Sequence, residues 1–372
     1  MKKEIVKKIF ASFFGLTLIS SLFFSCSSVK NQIWEEDEII NEDYSKFIKD
    51  VDSYLKEKDF QGSVLVGKNK TVVFAKGYGL LDEKNPDSGN NTIQTTYEIG
   101  SITKQMTATA IMKLIHEGKL SLDDKMTVFF PTYVYGDKIT VDMLLTMHSG
   151  LFDHINSPYD YFDRKTASLI EKAEKAGAEV DRDLVLTALY TAPLFAEPNS
   201  TYFYCNTDYY ILSKIIEIVS GQKYEDYIQQ NIFSVCGMTS SNIQFQNTTA
   251  KGYDRQGKYI SIPANIALGC GDVNSNVLDL FKWNYSFFNG KVIDKKIVNK
   301  MINADSYGYG FYIGKGIALH GGSTDCFNSY SSYVLNKKLS IIVLVNRPIT
   351  ESSATIIAGK INKMWESYTS EH

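Results

Sequence analysis

A chain of 372 residues with 44% hydrophobic and 22% charged side chains lies in the ordinary globular range, long enough to bury a large core in one domain or two interleaved ones. Its formal charge of -3, with no basic block after the first eight residues, leaves no electrostatic footprint for nucleic acid. The five histidines, His116, His148, His154, His320 and His372, form no H-x-H or H-E-x-x-H, so neither a metal site nor a cofactor is expected.

The opening residues, "MKKEIVKKIFASFFGLTLISSLFFSCSS", combine a lysine-rich start, an apolar run from Ile9 to Phe24 and small residues around a cysteine, the layout of an export signal. The apolar run has 16 residues, fewer than the ~20 a membrane span needs. The stretch before Cys26 resembles a bacterial lipoprotein cleavage site with Phe23 in place of the usual aliphatic residue. Residues 1–25 are therefore expected to be removed and Cys26 lipidated, tethering an exported lipoprotein to a membrane of the cell envelope, on its periplasmic or outer-surface side. An uncleaved N-terminal anchor would place the domain on the same side. Cleavage leaves 35 basic and 41 acidic residues, a net charge of -6. It also leaves Cys205, Cys236, Cys270 and Cys326, too few for a disulfide framework; buried thiols are expected, with one or two bridges as the alternative.

Residues 26–42 read as a polar, acidic tether leading into a helix through "YSKFIKDVDSYLKEK". Next, "GSVLVGKNKTVVFAKGYG" gives two β-rich runs joined at Gly67-Lys68-Asn69-Lys70, a hairpin signal. A helix from Ser101 to about Glu117 is marked by Ala108, Ile111, Met112 and Ile115 at i, i+3, i+4 and i+7, one core-facing stripe. Residues 125 to about 299 read mainly as helices and loops. Within them Leu212, Ile215, Ile216 and Val219 repeat the spacing, and Gly221 supplies the stop. The segment 153–182 is expected to line or cover part of a pocket. From Tyr307 strands return in "YGYGFYIG", "GIALHGG", "NSYSSYVLN" and "LSIIVLVNR", and "SATIIAGKINKMWESY" forms a closing helix.

Strands at both ends with helices between them predict an α+β fold, one antiparallel sheet built from the N- and C-terminal segments, flanked by helices, with an inserted mainly helical region. The domain is expected over 43–368, with an α/β part at about 43–124 and 300–368 and a helical part at about 125–299.

Run backwards from Ala108 by four and seven residues, the stripe of the first long internal helix passes through Lys104 and Ser101. Lysine is among the residues least often buried without a partner. Three residues apart on a helix the two side chains are neighbours, and a serine in the first turn feels the positive end of the helix dipole. A serine hydroxyl becomes a nucleophile when a base takes its proton, and lysine serves as that base when burial strips its own. A capping serine beside a lysine snorkelling to water fits the pattern equally, and S-x-x-K also occurs at Ser27 to Lys30 and Ser53 to Lys56 in polar surroundings.

Two further groups stand out. Tyr204-Cys205-Asn206, the only Y-x-N in the chain, sits at a helix entry, where the phenol is placed to carry a proton and the amide offers donor and acceptor to a substrate. His320-Gly321-Gly322 lies at the end of a strand, where glycines allow close backbone approach. There the main-chain N–H groups of Ser323 and Ser101 are candidates for an oxyanion hole.

Ser101-Ile102-Thr103-Lys104, Tyr204-Cys205-Asn206 and His320-Gly321-Gly322 follow the order and approximate spacing of the three motifs of the serine β-lactamase and penicillin-binding-protein superfamily. The Y-x-N and H-x-G forms resemble its class C β-lactamase-related branch, which also holds D,D-peptidases, D-aminopeptidases and esterases. "GKLSLDDKMTVFFP", "ITVDMLLTMHSGL" and "GYGFYIG" are similar too, and the likeness spans roughly residues 45 to 365. The resemblance implies a β-lactamase/transpeptidase-like fold and a serine hydrolase that needs no cofactor. It implies Ser101 as the acylated nucleophile, Lys104 and Tyr204 as proton carriers, and Asn206 and His320, with Gly321, Gly322 and Ser323, as substrate contacts. The partner implied is a D-amino-acid peptide, a small ester or a related acyl substrate. His320 stands where β-lactamases hold a substrate carboxylate with lysine, which counts against penicillin hydrolysis; Cys205 fills a slot usually held by a small residue, and Met147-His148 alters the usual "LLTHTSG" loop. A non-catalytic protein that binds cell-wall fragments and a true β-lactamase are the alternatives. No G-x-S-x-G elbow is present, and "HGGS" follows Ser101 where an α/β-hydrolase would place such a loop before its nucleophile.

Overall fold

Strand-forming runs from the two ends of the chain meet in one seven-stranded antiparallel sheet. The computed structural model describes residues 37–156, 168, 171–172, 175–176, 181–190, 192–244, 247–260, 263, 265–347 and 353–371. The strands are β1 (Glu38–Ile40), β2 (Gly62–Lys68), β3 (Thr71–Tyr78), β4 (Tyr97–Glu98), β5 (Asn274–Ser275), β6 (Tyr312–Gly314), β7 (Ile317–Ser323), β8 (Asn328–Val334) and β9 (Leu339–Val345). β4 and β5 pair with each other; the rest run in the order β1-β3-β2-β9-β8-β7-β6. The longer helices are α1 (Ser45–Glu57), α2 (Thr103–His116), α3 (Asn206–Ser220), α4 (Val277–Phe288) and α5 (Ala354–Glu371).

All seven residues of the central strand β9 are buried, as a continuous apolar run requires when both faces of a sheet are covered. Side-chain alternation divides the strand between those faces. Ile341, Val343 and Val345 join Val64 and Val66 in one core with Phe47, Val51 and Leu55 of α1 and Ile357, Ile361 and Trp365 of α5. The other face carries α4, and Gly67 is small because the Phe281 ring fills its place: a Cβ there would lie 2.3 Å from the ring.

The stretch read as a tether, 26–42, contributes its last residues to the sheet. Glu38, Ile39 and Ile40 pair with Lys76, Ala75 and Phe74 of β3, and an ion pair of 2.5 Å between Lys76 Nζ and Glu38 closes the edge. Three residues are too few for periodicity to register, and the folded unit opens at Asp37 rather than 43. At the other end α5 runs on to Glu371, past the expected limit of 368. Residues 1–25 and Cys26 lie outside the described residues. Among the described residues no helix is long and apolar enough to cross a membrane.

The single stripe expected for the helix at 101–117 is corrected as well. Gly100–Ile102 forms a 3-10 turn, and α2 begins only at Thr103. Thr103 through Met112 are all buried, whereas Ile115 is half-buried. The helix is enclosed rather than laid on a surface: α3 packs along it, and Trp283 of α4 donates its indole N–H to Gln105 Oε1 at 2.8 Å. α4 also lies within the stretch 125–299 expected as the helical part, yet it packs on β2, β8 and β9 as a member of the α/β layer. Cys205, Cys236, Cys270 and Cys326 are buried free thiols.

Trp365 joins the two ends of the chain, edge-on to Phe47 at 5.1 Å and stacked on Tyr44 at 5.6 Å. Trp365→Ala is expected to cost about 3–5 kcal/mol of stability, read as a lower urea midpoint at unchanged slope.

Candidate active site

Ser101 sits in the 3-10 turn between β4 and α2, at the wall of a cleft of about 400 Å³. Gly100 makes the turn possible: its φ of 50° lies in the left-handed region, and a Cβ on it would come within 2.9 Å of the Ser323 nitrogen.

One helical turn on, Lys104 is 0% exposed. Its Nζ lies 2.9 Å from Ser101 Oγ, 2.7 Å from Asn206 Oδ1 and 2.8 Å from the Cys270 carbonyl oxygen. The last two groups only accept hydrogen bonds. Burial pushes the Lys104 pKa below its ordinary value, against the opposing pull of Cys270 and Asp153. The Tyr204 hydroxyl donates to the same Ser101 Oγ at 2.7 Å, and its ring lies 4.9 Å from Nζ. Burial raises the Tyr204 pKa well above the usual phenol value, so the phenol is protonated at neutral pH.

Asn206 opens α3, and its amide is held at both ends. Oδ1 accepts from Lys104 while Nδ2 donates to Asp153 Oδ2 at 2.9 Å. Neither Asp153 nor the Cys270 carbonyl emerged from the sequence. The only trace of Asp153 was an acid in the otherwise apolar "GLFDH", and a main-chain acceptor leaves none.

The opposite wall is β7. His320 was expected at a strand end, but the strand continues to Ser323. β6 stops pairing at Tyr312 opposite Leu319, so from His320 to Ser323 only the β8 side is paired and the other edge borders the cleft. A Cβ on Gly322 would sit 2.0 Å from the Ile99 carbonyl oxygen and 2.4 Å from Ser329 Oγ. The missing side chain is what lets β7 close on the Ser101 turn and bring the Ser323 amide beside it.

His320 is 2% exposed. Its Nδ1 donates to the Gly321 carbonyl at 2.6 Å, which leaves Nε2 to accept from the Tyr307 hydroxyl at 3.3 Å. Burial, then the neighbouring Lys104, pushes its pKa down to about 3, so the ring is neutral. Ser101, Tyr204, Asn206, His320, Gly321, Gly322 and Ser323 thus border one cleft, with Lys104 beneath. Of the segment 153–182, Ile155 and Asn156 line the cleft, and most of the remainder lies outside the described residues. Among the described residues no Lys, Arg, Asp or Glu lines it.

The beta-lactamase family model matches residues 47–362. The putative penicillin-binding protein PbpX of Bacillus subtilis strain 168 is 28% identical over 311 residues, 80% of this chain and 73% of that protein. The teichoic acid D-alanine hydrolase of Staphylococcus aureus strain MRSA252 is 26% identical over 326 residues, 83% of this chain and 76% of that protein. Among solved structures, the D-amino acid amidase from Ochrobactrum anthropi SV3 has the same fold, with a TM-score of 0.73 at 19% identity over 88% of this chain and 99% of the amidase.

Gly322→Ala is expected to force β7 away from Ile99. It should slow the reaction of Ser101 with an activated acyl ester by about 10-fold or more, read by intact mass over time, while the circular dichroism spectrum stays that of the parent.

Proposed function

The chain belongs to the beta-lactamase family and is a serine hydrolase of it, and from that premise we propose that it works through an acyl-enzyme on Ser101, taking D-aminoacyl esters or amides as substrates. The observation that carries the mechanism is the set of partners around Lys104 Nζ. A neutral amine has two N–H groups and one lone pair. Asn206 Oδ1 and the Cys270 carbonyl use both N–H groups, so the lone pair faces Ser101 Oγ at 2.9 Å.

In the first step Ser101 Oγ attacks the acyl carbon and its proton passes to Lys104 Nζ. The Ser101 and Ser323 main-chain N–H groups receive the developing oxyanion. Tyr204, a phenol kept protonated by burial, gives its proton to the leaving oxygen or nitrogen as the carbonyl re-forms, and the Lys104 ammonium returns one to it. Water then attacks the acyl-enzyme with Lys104 again as base, releasing the acid and restoring the Ser101 hydroxyl. Asn206 and the free edge of β7 line the cleft, where they would border a bound acyl group.

The substrate class rests on charge. Among the described residues the cleft wall has no cation, and neutral His320 supplies none. A substrate carboxylate seated there would lose its hydration without a partner, which is costly. That favours neutral leaving groups over penicillins and peptides ending in a free carboxylate, and the D-alanine hydrolase relative points to D-alanyl esters first. Export and a lipid anchor at Cys26 would bring such a site to the cell envelope, where acylated polymers are found outside the membrane.

Ser101→Ala is expected to abolish covalent labelling and turnover of D-alanyl methyl ester; labelling that persists would overturn the assignment. Because Lys104 acts unprotonated and burial lowers its pKa, acylation should rise with pH and level off below the ordinary lysine range, about 10.4. A pH–rate profile of the first turnover checks the sign: a rate falling through that range would remove Lys104 as base.

A further inference from the structure

Asp153 is 3% exposed and receives five hydrogen bonds, every one a donation. Oδ1 accepts from the main-chain N–H of Ile155 at 2.9 Å and of Asn156 at 3.1 Å. Oδ2 accepts from Asn156 Nδ2 at 2.6 Å, Asn206 Nδ2 at 2.9 Å and the Asn206 main-chain N–H at 3.3 Å. Five donors with no acceptor among them suit an ionised carboxylate and no amide or acid of the same shape.

An asparagine side chain can present oxygen or nitrogen in either direction, and here its two ends have different tasks. Because Asp153 takes only donors, Asn206 must turn Nδ2 toward it, and Oδ1 is left facing Lys104. Were the amide reversed, Nδ2 would point at Lys104 Nζ and donate into the lone pair otherwise free for the Ser101 proton. We propose that Asp153 is a positioning residue of this site: by fixing which way the Asn206 amide points, it fixes the direction of the Lys104 lone pair toward Ser101. The inference rests on Lys104 being the base. It gives a buried charge outside the three motifs a task within the reaction.

Asp153 also places a negative charge one residue behind Nζ. The other groups facing Lys104 are Cys270 and Cys205, the rings of Tyr204, Tyr209 and Tyr312, neutral His320, and Asp208 on α3. Burial raises the Cys205 pKa well above ordinary and that of Cys270 to about 12, so both thiols are protonated across the neutral range, and burial also pushes the Asp208 carboxyl well above its ordinary value. His154, in the same loop as Asp153, is kept neutral by burial, with Nε2 donating to the Ile266 carbonyl at 2.8 Å. The five donors on Asp153 mark it as a carboxylate, one amide away from Lys104 through Asn206.

The test uses the full domain, with p-nitrophenyl acetate as acyl donor and the first-turnover rate measured against pH. In Asp153→Asn an NH2 group faces donors whichever way it turns, and the Asn206 amide is expected to reverse. Acylation should fall about 10- to 100-fold with little change in KM, and the acidic limb of the profile should move to lower pH because a negative charge near Lys104 is gone. The double variant Asp153→Asn with Asn206→Asp restores donor to acceptor and moves the charge into contact with Nζ. Its acidic limb should move above that of the parent, the opposite direction. If Asp153→Asn does not fold while the double variant does, the pairing is supported and the double variant carries the pH test. A single variant with the parent's rate and profile overturns the proposal, as does a double variant that fails to fold or shows the parent's profile. Lys104→Met separates the two readings: if it still acylates at the parent's rate, the base assignment fails, whereas loss in Lys104→Met with an unaltered Asp153→Asn refutes only the role of Asp153.

Discussion

A lysine amine without solvent is the constraint around which the rest of the site is arranged. Burying an unpaired ammonium costs several kcal/mol, and proteins lower that cost by neutralising the group or surrounding it with acceptors. Here the acceptors are present, and burial lowers the pKa of the amine. Lys104 lies inside a helix that is enclosed on nearly every side, and its Nζ meets the acceptors Asn206 Oδ1 and the Cys270 carbonyl. With those directions taken, the remaining one leads to Ser101 Oγ, where the Tyr204 phenol also donates. Burial acts in opposite senses on the pKa values of the two groups, lowering that of the amine and raising that of the phenol because it disfavours the charged form of each, and both groups meet at one oxygen.

The sheet supplies the other half of the geometry through close approach of backbone to backbone. Gly322 on β7 rests against the Ile99 carbonyl, and Gly100 in the left-handed region rests against the Ser323 nitrogen. A side chain at either glycine would part the strand from the turn. The same strand keeps an unpaired edge because β6 is only three residues long, so main-chain groups face the cleft rather than a neighbouring strand. Catalytic geometry at this wall is therefore a property of strand length and missing Cβ atoms, while at the opposite wall it depends on a chain of side-chain hydrogen bonds from Asp153 through Asn206 to Lys104.

Charge then separates the proposed substrates. His320 is locked in one tautomer, Nδ1–H on the Gly321 carbonyl and Nε2 turned to Tyr307, and it is packed too deeply to carry a proton at neutral pH. A lysine would bring a cation to the same wall. The neutral ring leaves a cleft bordered by backbone and amide groups and by the aromatic surface of Tyr204 and Tyr312, 6.4 Å apart and near parallel.

Local patterns in the sequence carried the strands, the helices and the three short motifs, because each depends on side chains a few residues apart. The hairpin at Gly67 to Lys70, the Gly221 helix stop with its φ of 68° and the S-x-x-K spacing are of this kind. The strand in the expected tether, the full enclosure of α2 and the transfer of α4 to the sheet layer were not legible, since burial of a helix face is decided by what packs on it. Within the site, the sequence named Ser101, Lys104, Tyr204, Asn206, His320 and Ser323, and the fold brings them to one cleft. It could not name Asp153 or the Cys270 carbonyl, which act across 53 and 166 residues of chain and work only through donor and acceptor directions fixed by packing. Identity of the chemical groups was written in the primary structure; the direction of a lone pair and the absence of water around it were decided by the tertiary structure, because both depend on contacts that no stretch of chain makes with itself.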